Sequence, residues 1–353
     1  MKALVLSGGT GTRMRPLSYS IPKQLVPVGG EPVLAHVLAR IRDLGVRDVA
    51  IVVGEHGRQI RQAIGDGSAW HMQVTYFQQD RPRGLGHAVQ VARGFLGDDD
   101  FVMYLGDNVL TGDLTSIAAA FQRTGAAAHL VVRQVVDPRP FGVADVAADG
   151  RVRGLVEKPL VPASDLAVVG VYFLTRAVHE AIEAIPSSSR GELELTDALQ
   201  WLVDSGADVR ASELQGYWQD IGHIADLLAC NRYLLGRQRG QASGYVDPSS
   251  TVDPQAIIAA GAKVLRSHVY GATFIGPNTV VEDSTIGPYT TIGAGCLVRS
   301  ARIDGSIVMD DVRIVDPGHL DGAVIGRRAF IGRADQGSAH RLIVGADARV
   351  EIA

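Results

Sequence analysis

From residue 275 to residue 331 an aliphatic side chain recurs at steps of five or six, as at Ile275, Val281, Ile286, Ile292, Val298, Ile303, Ile325 and Ile331, often with glycine next. A six-residue step matches one flat side of a three-sided parallel β-helix, with the aliphatic pointing inward and glycine at the corner. A β-meander with turns is the alternative. The repeated "FIGPNT" and "TIGPYT" strings favour the β-helix, because a meander does not require the same hexad twice.

The first two thirds of the chain follow another rule. Short β-branched runs such as "KALVL", "DVAIVVG", "QVTYFQQ", "FVMYLGD" and "AHLVVRQV" alternate with amphipathic segments such as "PVLAHVLARIRDLG" and "HGRQIRQAIGDG". Strand alternating with helix predicts a mostly parallel α/β sheet covered on both faces, with ligands bound at the carboxyl ends of its strands. The polar, glycine-rich "GRQRGQASG" at 236–244 reads as a linker, so the expected domains are 1–238 and 239–353.

Composition narrows the functions open to such a chain. Of 353 residues, 46% are hydrophobic and the net charge is −4, which leaves no global basic field for nucleic acid or an anionic membrane. There is neither a signal-peptide core nor an apolar stretch of about eighteen residues, and a cytoplasmic location is expected. Cys230 and Cys296 show no metal-ligand or disulfide spacing and read as plain buried thiols.

Any anion site must therefore be local, and "LSGGTGTRMRPLSYSIPKQL" at 6–25 offers one. Gly8, Gly9 and Gly11 clear side chains from a sharp turn whose backbone N–H groups suit phosphate oxygens. Neither a P-loop nor a dinucleotide fingerprint fits: no Gly-Lys-Ser/Thr follows, and Met14 stands where a third glycine belongs. Arg13 and Lys23 can both return to one anion if Pro16 and Pro22 hold the connection extended, as expected here.

The stretch "GGTGTRMRPLSYSIPKQLVPV" resembles the signature of the sugar-1-phosphate nucleotidyltransferases. The match continues in order through "QDRPRGLGHAV", "YLGDN", "FGVAD", "EKP", "GVYF", "RGELELTD" and "WQDIG". The likeness is strongest to long-form glucose-1-phosphate thymidylyltransferases, which implies a Rossmann-like mixed, mostly parallel sheet followed by a left-handed parallel β-helix. Ser7, Ile21, Gly86, Ile221 and His223 depart from the family's usual residues.

The reaction so implied joins a sugar 1-phosphate to the α-phosphorus of a nucleoside triphosphate and releases pyrophosphate. The attacking phosphate is already ionised, its second pKa being about 6, so cations and positioning replace a general base. The resemblance implies Arg13, Lys23, Asp107 and Lys158 as catalytic residues, and Asp107 with Asp220 as ligands of Mg²⁺. It implies nucleotide contacts at Leu6, Gly8, Gly9, Gly11, Thr12, Arg13, Gln24, Gln79, Gly84 and Asp107. Gly142, Glu157, Lys158, Val168 and Glu192 would take the sugar phosphate. The expected partners are these small molecules, with dTTP and glucose 1-phosphate favoured and UTP, ATP or GTP and a modified sugar or cyclitol phosphate as the alternatives, together with a homo-oligomer built through the β-helix. A non-catalytic sugar-nucleotide sensor is the competing class; an acyltransferase β-helix is a third, but His268, His319 and His340 read as irregular positions without partners.

Overall fold

The computed structural model describes residues 1–9, 11–333 and 342–352. They form two compact units: 1–10 with 34–220, and 11–33 with 221–353. The chain thus passes between units beside the glycine loop and directly after Asp220.

The first unit is built on a nine-stranded mixed sheet. Its main path runs Val152–Glu157, Gly142–Val146, Leu166–Leu174, Phe101–Leu105, Lys2–Ser7, Asp48–Val53, Gln73–Gln78; Ala128–Gln134 pairs with Leu166–Leu174 and with Val209–Glu213. Lys2–Ser7 lies parallel to both its neighbours, whereas Leu166–Leu174 runs antiparallel to Phe101–Leu105. The central strands read as unbroken apolar runs because both faces are covered: Ala3 to Val5, Val49 to Ile51 and Phe101 to Tyr104 are fully buried. Helix Val33–Asp43 buries Leu34, Val37, Leu38 and Ile41, one helical stripe.

In the second unit the C-terminal strands stack in parallel. Ile258, Ile275, Ile292, Val308, Ile325 and Val344 pair in succession along one side, and Val264, Val281, Val298, Ile314 and Ile331 along another. Val269, Ile286, Ile303 and Leu320 make the third. This is the expected left-handed parallel β-helix. All eight aliphatics that define the repeat are fully buried. At the corners hydroxyls carry the hydrogen bonding from coil to coil: Ser267 N donates to Ser250 Oγ at 3.0 Å, Ser284 N to Ser267 Oγ at 3.0 Å, and Ala301 N to Ser284 Oγ at 3.1 Å. Ile303→Ala removes a side chain with neighbours both above and below, and is expected to cost about 2 to 5 kcal/mol. Urea unfolding monitored by circular dichroism checks it; an unchanged midpoint would contradict this packing.

Three expectations need correction. The connection carrying Arg13 and Lys23 is not extended: it folds as 3₁₀ turns at Thr12–Met14, Leu17–Tyr19 and Lys23–Leu25. Proline forbids a continuing α-helix but tolerates a short turn. The glycine-rich 236–244 stretch is not all linker, because Gln241–Ala242 already pairs with Ile257–Ile258 as the first rung. His268 and His319 lie on strands and have partners, Thr251 Oγ1 at 2.6 Å and Asp304 Oδ2 at 2.7 Å. His340 lies outside the described residues. Cys230 and Cys296 are buried thiols as expected, burial pushing the Cys296 thiol up to about 12. Among the described residues no helix is long and apolar enough to cross a membrane.

Candidate active site

In the first unit, Leu6 lies nearly buried at the end of the opening strand, paired with Val52 and Leu105, and Gly106 N donates to Leu6 O at 2.9 Å. Gly8 follows at a point of contact: a Cβ there would lie 2.9 Å from Gln79 Oε1. Gly9 has open space around it. Gln79 itself is buried, and its Nε2 donates to His87 Nδ1 at 3.0 Å and to Gly84 O at 3.4 Å.

Gly84 has φ +93°, and a Cβ on it would come within 2.5 Å of Leu193 O and 2.7 Å of Leu193 N. A Cβ on Gly86 would lie 2.9 Å from the same oxygen, which accounts for glycine at this departure from the family pattern. Gly86 N donates to Leu193 O at 2.9 Å, and Leu193 N to Arg83 O at 2.8 Å. The two segments are therefore zipped together by backbone. Gly84→Ala combines a left-handed φ with backbone overlap that no rotamer relieves, so it is expected to destabilise the first unit by about 1 to 3 kcal/mol. A fall in melting temperature with raised KM for both substrates would agree; a wild-type melting curve would not.

Beyond that zipper three of the sugar-site candidates converge. A Cβ on Gly142 would meet Thr196 Cγ2 at 2.8 Å, Glu157 Oε2 at 3.3 Å and Val168 Cγ2 at 3.9 Å. Glu157 accepts from Thr196 Oγ1 at 3.0 Å and lies 3.1 Å from Lys158 Nζ and 3.4 Å from Arg190 Nη2. Among the described residues Glu192 contributes backbone bonding alone, its carbonyl accepting from Ser188 N at 2.8 Å. The buried carboxylate is Glu194, two residues on, held by Arg190 Nη2 at 2.7 Å and Ser188 Oγ at 2.8 Å. Burial, followed by the charges of Glu194 and Glu157, raises the Asp197 carboxyl above its ordinary value against the opposing pull of Arg190. Sequence reasoning missed Arg190, Glu194, Thr196 and Asp197; the four-residue spacing of Arg190 and Glu194 was the available signal.

The candidate metal carboxylates both belong to the first unit, at one end of a two-stranded ribbon. Trp218–Asp220 pairs antiparallel with Asn108–Leu110, and Asp220 falls opposite Asn108, the residue after Asp107. Asn108 is a buried bracket: its Nδ2 donates to Asp107 Oδ1 at 2.9 Å and its Oδ1 accepts from Trp218 Nε1 at 2.7 Å. No cluster of three or more His, Cys, Asp or Glu suited to a metal occurs among the described residues. Asp107 just before the ribbon and Asp220 within it are nonetheless the ligand type a hard cation takes when it completes its shell with phosphate and water.

In the second unit Gly11, at φ +62°, leads into the turn of Thr12, Arg13 and Met14. Thr12 and Arg13 are exposed. Lys23 Nζ donates to Ile221 O at 3.0 Å, and a Cβ on Gly222 would lie 3.3 Å from Arg13 Nη2, so both cations reach one short stretch of backbone. That stretch is fixed by Asp226 Oδ2, which accepts from Gly222 N at 3.1 Å and His223 N at 2.7 Å at the start of helix Ile224–Leu235. Ile221 is fully buried. Gln24 is buried too, and its Oε1 has no partner among the described residues.

The mixed α/β sheet of the first unit, with a glycine turn after its opening strand, is the fold on which enzymes of nucleotidyl transfer are built. The chain belongs to the nucleotidyltransferase family, whose model matches residues 2–236. It is 44% identical to a glucose-1-phosphate thymidylyltransferase from Streptomyces griseus, over 100% of this chain and 99% of that protein. A Streptomyces antibioticus protein of the same name is 43% identical over the same shares. A Bacillus anthracis structure solved with sucrose, provisionally assigned the same activity, superposes with TM-score 0.63 at 31% identity, covering 66% of this chain and 95% of that one.

Proposed function

We propose that the protein transfers a thymidylyl unit from dTTP to glucose 1-phosphate, releasing pyrophosphate and forming a nucleotide sugar. The observation that carries the sugar-phosphate side is the convergence of Gly142, Glu157, Val168 and Thr196 beside Lys158. The choice of dTTP and glucose follows the names of the full-length relatives.

An oxygen of the sugar phosphate attacks the α-phosphorus in line, forming the new P–O bond as the bond to the β-phosphate's bridging oxygen breaks. No proton has to be removed from that nucleophile. The barrier lies in bringing anions together, which assigns Arg13 to the charge on the triphosphate, Lys23 to its support, and Lys158 to the sugar phosphate as a point charge. Glu157 accepts from sugar hydroxyls, and Gln79 addresses the base. Asp107 and Asp220 would hold Mg²⁺, which supplies positive charge to the phosphate oxygens and the leaving pyrophosphate. The β-helix is assigned to packing and self-association.

Pyrophosphate release from each of dTTP, UTP, ATP and GTP with a panel of sugar 1-phosphates tests the reading. Fastest release with dTTP and glucose 1-phosphate supports it. No pair exceeding the Asp107→Ala variant would instead leave a sugar-nucleotide sensor.

A further inference from the structure

Gln79 carries one amide, and the two ends of that amide say opposite things to a base. Its nitrogen can only donate and its oxygen can only accept. In the first unit the nitrogen end is fixed by two neighbours, Gly84 O at 3.4 Å and His87 Nδ1 at 3.0 Å. A backbone carbonyl never donates, so the Gly84 contact alone requires that nitrogen face the loop. His87 Nδ1 must then present a lone pair, which leaves the ring proton on Nε2. The oxygen end is turned to Gly8, 2.9 Å from where a Cβ on that residue would stand, and it makes no hydrogen bond among the described residues.

We propose that His87 is a positioning residue that holds the Gln79 amide with its acceptor outward, so that the site favours a base with a ring N–H, thymine or uracil, over cytosine. An outward oxygen accepts from the ring N–H of thymine. At the same place cytosine offers a lone pair, and two acceptors then face each other without a proton between them. The inference rests on the reading that Gln79 addresses the base, and it adds what decides the direction in which Gln79 speaks. Burial, and then the charge of Arg83, lower the His87 pKa, with Asp80 acting against them; the neutral ring that the geometry needs is favoured.

The test compares kcat/KM for dTTP and dCTP in four proteins: wild type, Gln79→Ala, His87→Gln and His87→Lys. A glutamine at 87 still offers an acceptor to the amide nitrogen; a lysine offers only donors and draws the amide oxygen inward. The dTTP over dCTP ratio is expected to fall about tenfold or more in His87→Lys, through KM for dTTP rather than kcat, and to stay within about threefold of wild type in His87→Gln. An unchanged ratio in His87→Lys overturns the inference. If Gln79→Ala leaves the ratio intact, the base reading itself fails; if it collapses the ratio while His87→Lys does not, only the role of His87 fails. A measurement on the unaltered protein covers the case of a lysine variant that does not fold: ¹⁵N NMR of the His87 ring at pH 8 should show Nδ1 bare and Nε2 protonated, and the reverse tautomer would overturn the proposal.

Discussion

Replacing Arg13 with alanine is expected to lower kcat for nucleotidyl transfer by about a hundredfold to a thousandfold while the melting temperature stays close to wild type. The two halves of that expectation have separate causes. Arg13 is exposed and makes no ion pair among the described residues, so the fold loses little when its guanidinium goes. On the proposed reading the reaction loses a fixed positive charge at the point where charge accumulates, leaving Lys23 and the metal to carry it without the guanidinium fork. Arg13→Lys should recover only part of the rate, because an ammonium cannot grip two phosphate oxygens in a planar fork. Steady-state pyrophosphate release reads both variants; an Arg13→Ala enzyme within threefold of wild type would remove Arg13 from the chemistry.

Asp107→Ala is expected to have at least as large an effect, lowering kcat about a thousandfold with a small change in melting temperature. Asn108 would lose the acceptor for its Nδ2 but keep Trp218 Nε1 on its Oδ1, so the two-stranded ribbon that presents Asp220 should survive. Asp220→Ala should lose less activity and need more Mg²⁺ for half-maximal rate, since one carboxylate remains. A magnesium titration of the three proteins distinguishes these outcomes. Wild-type magnesium dependence in both variants would mean that neither aspartate is a ligand.

The β-helix was legible in the chain because its rule is local: each coil needs an inward aliphatic at a fixed step, and the sequence from Ile275 to Ile331 repeats that step. The parallel strands of the first unit were legible for a similar reason, since a strand covered on both faces must be apolar throughout. The polar contacts around the candidate residues of either unit were not. Glu157 meets Thr196, Gly84 meets Leu193 and Lys23 meets the carbonyl of Ile221, contacts between residues far apart in sequence that no spacing announces. Glu192 and Glu194 show the limit most clearly: two carboxylates in one motif look equivalent, and only burial beside Arg190 separates them. The prolines misled for a different reason. They remove an N–H and fix φ, which forbids an α-helix, but the 3₁₀ turns they permit close on two short bonds each, such as Leu25 N to Pro22 O and Val26 N to Lys23 O.

The account stands on a sugar-phosphate oxygen forming the new bond to the α-phosphorus, and oxygen labelling tests that bond change. Glucose 1-phosphate carrying ¹⁸O in its non-bridging phosphate oxygens is incubated with unlabelled dTTP and Mg²⁺, and the products are read by mass spectrometry and ³¹P NMR. Label in the oxygen that bridges the two phosphorus atoms of the nucleotide sugar, with unlabelled pyrophosphate, is the predicted result. Label in the pyrophosphate, or an unlabelled bridge, would contradict it.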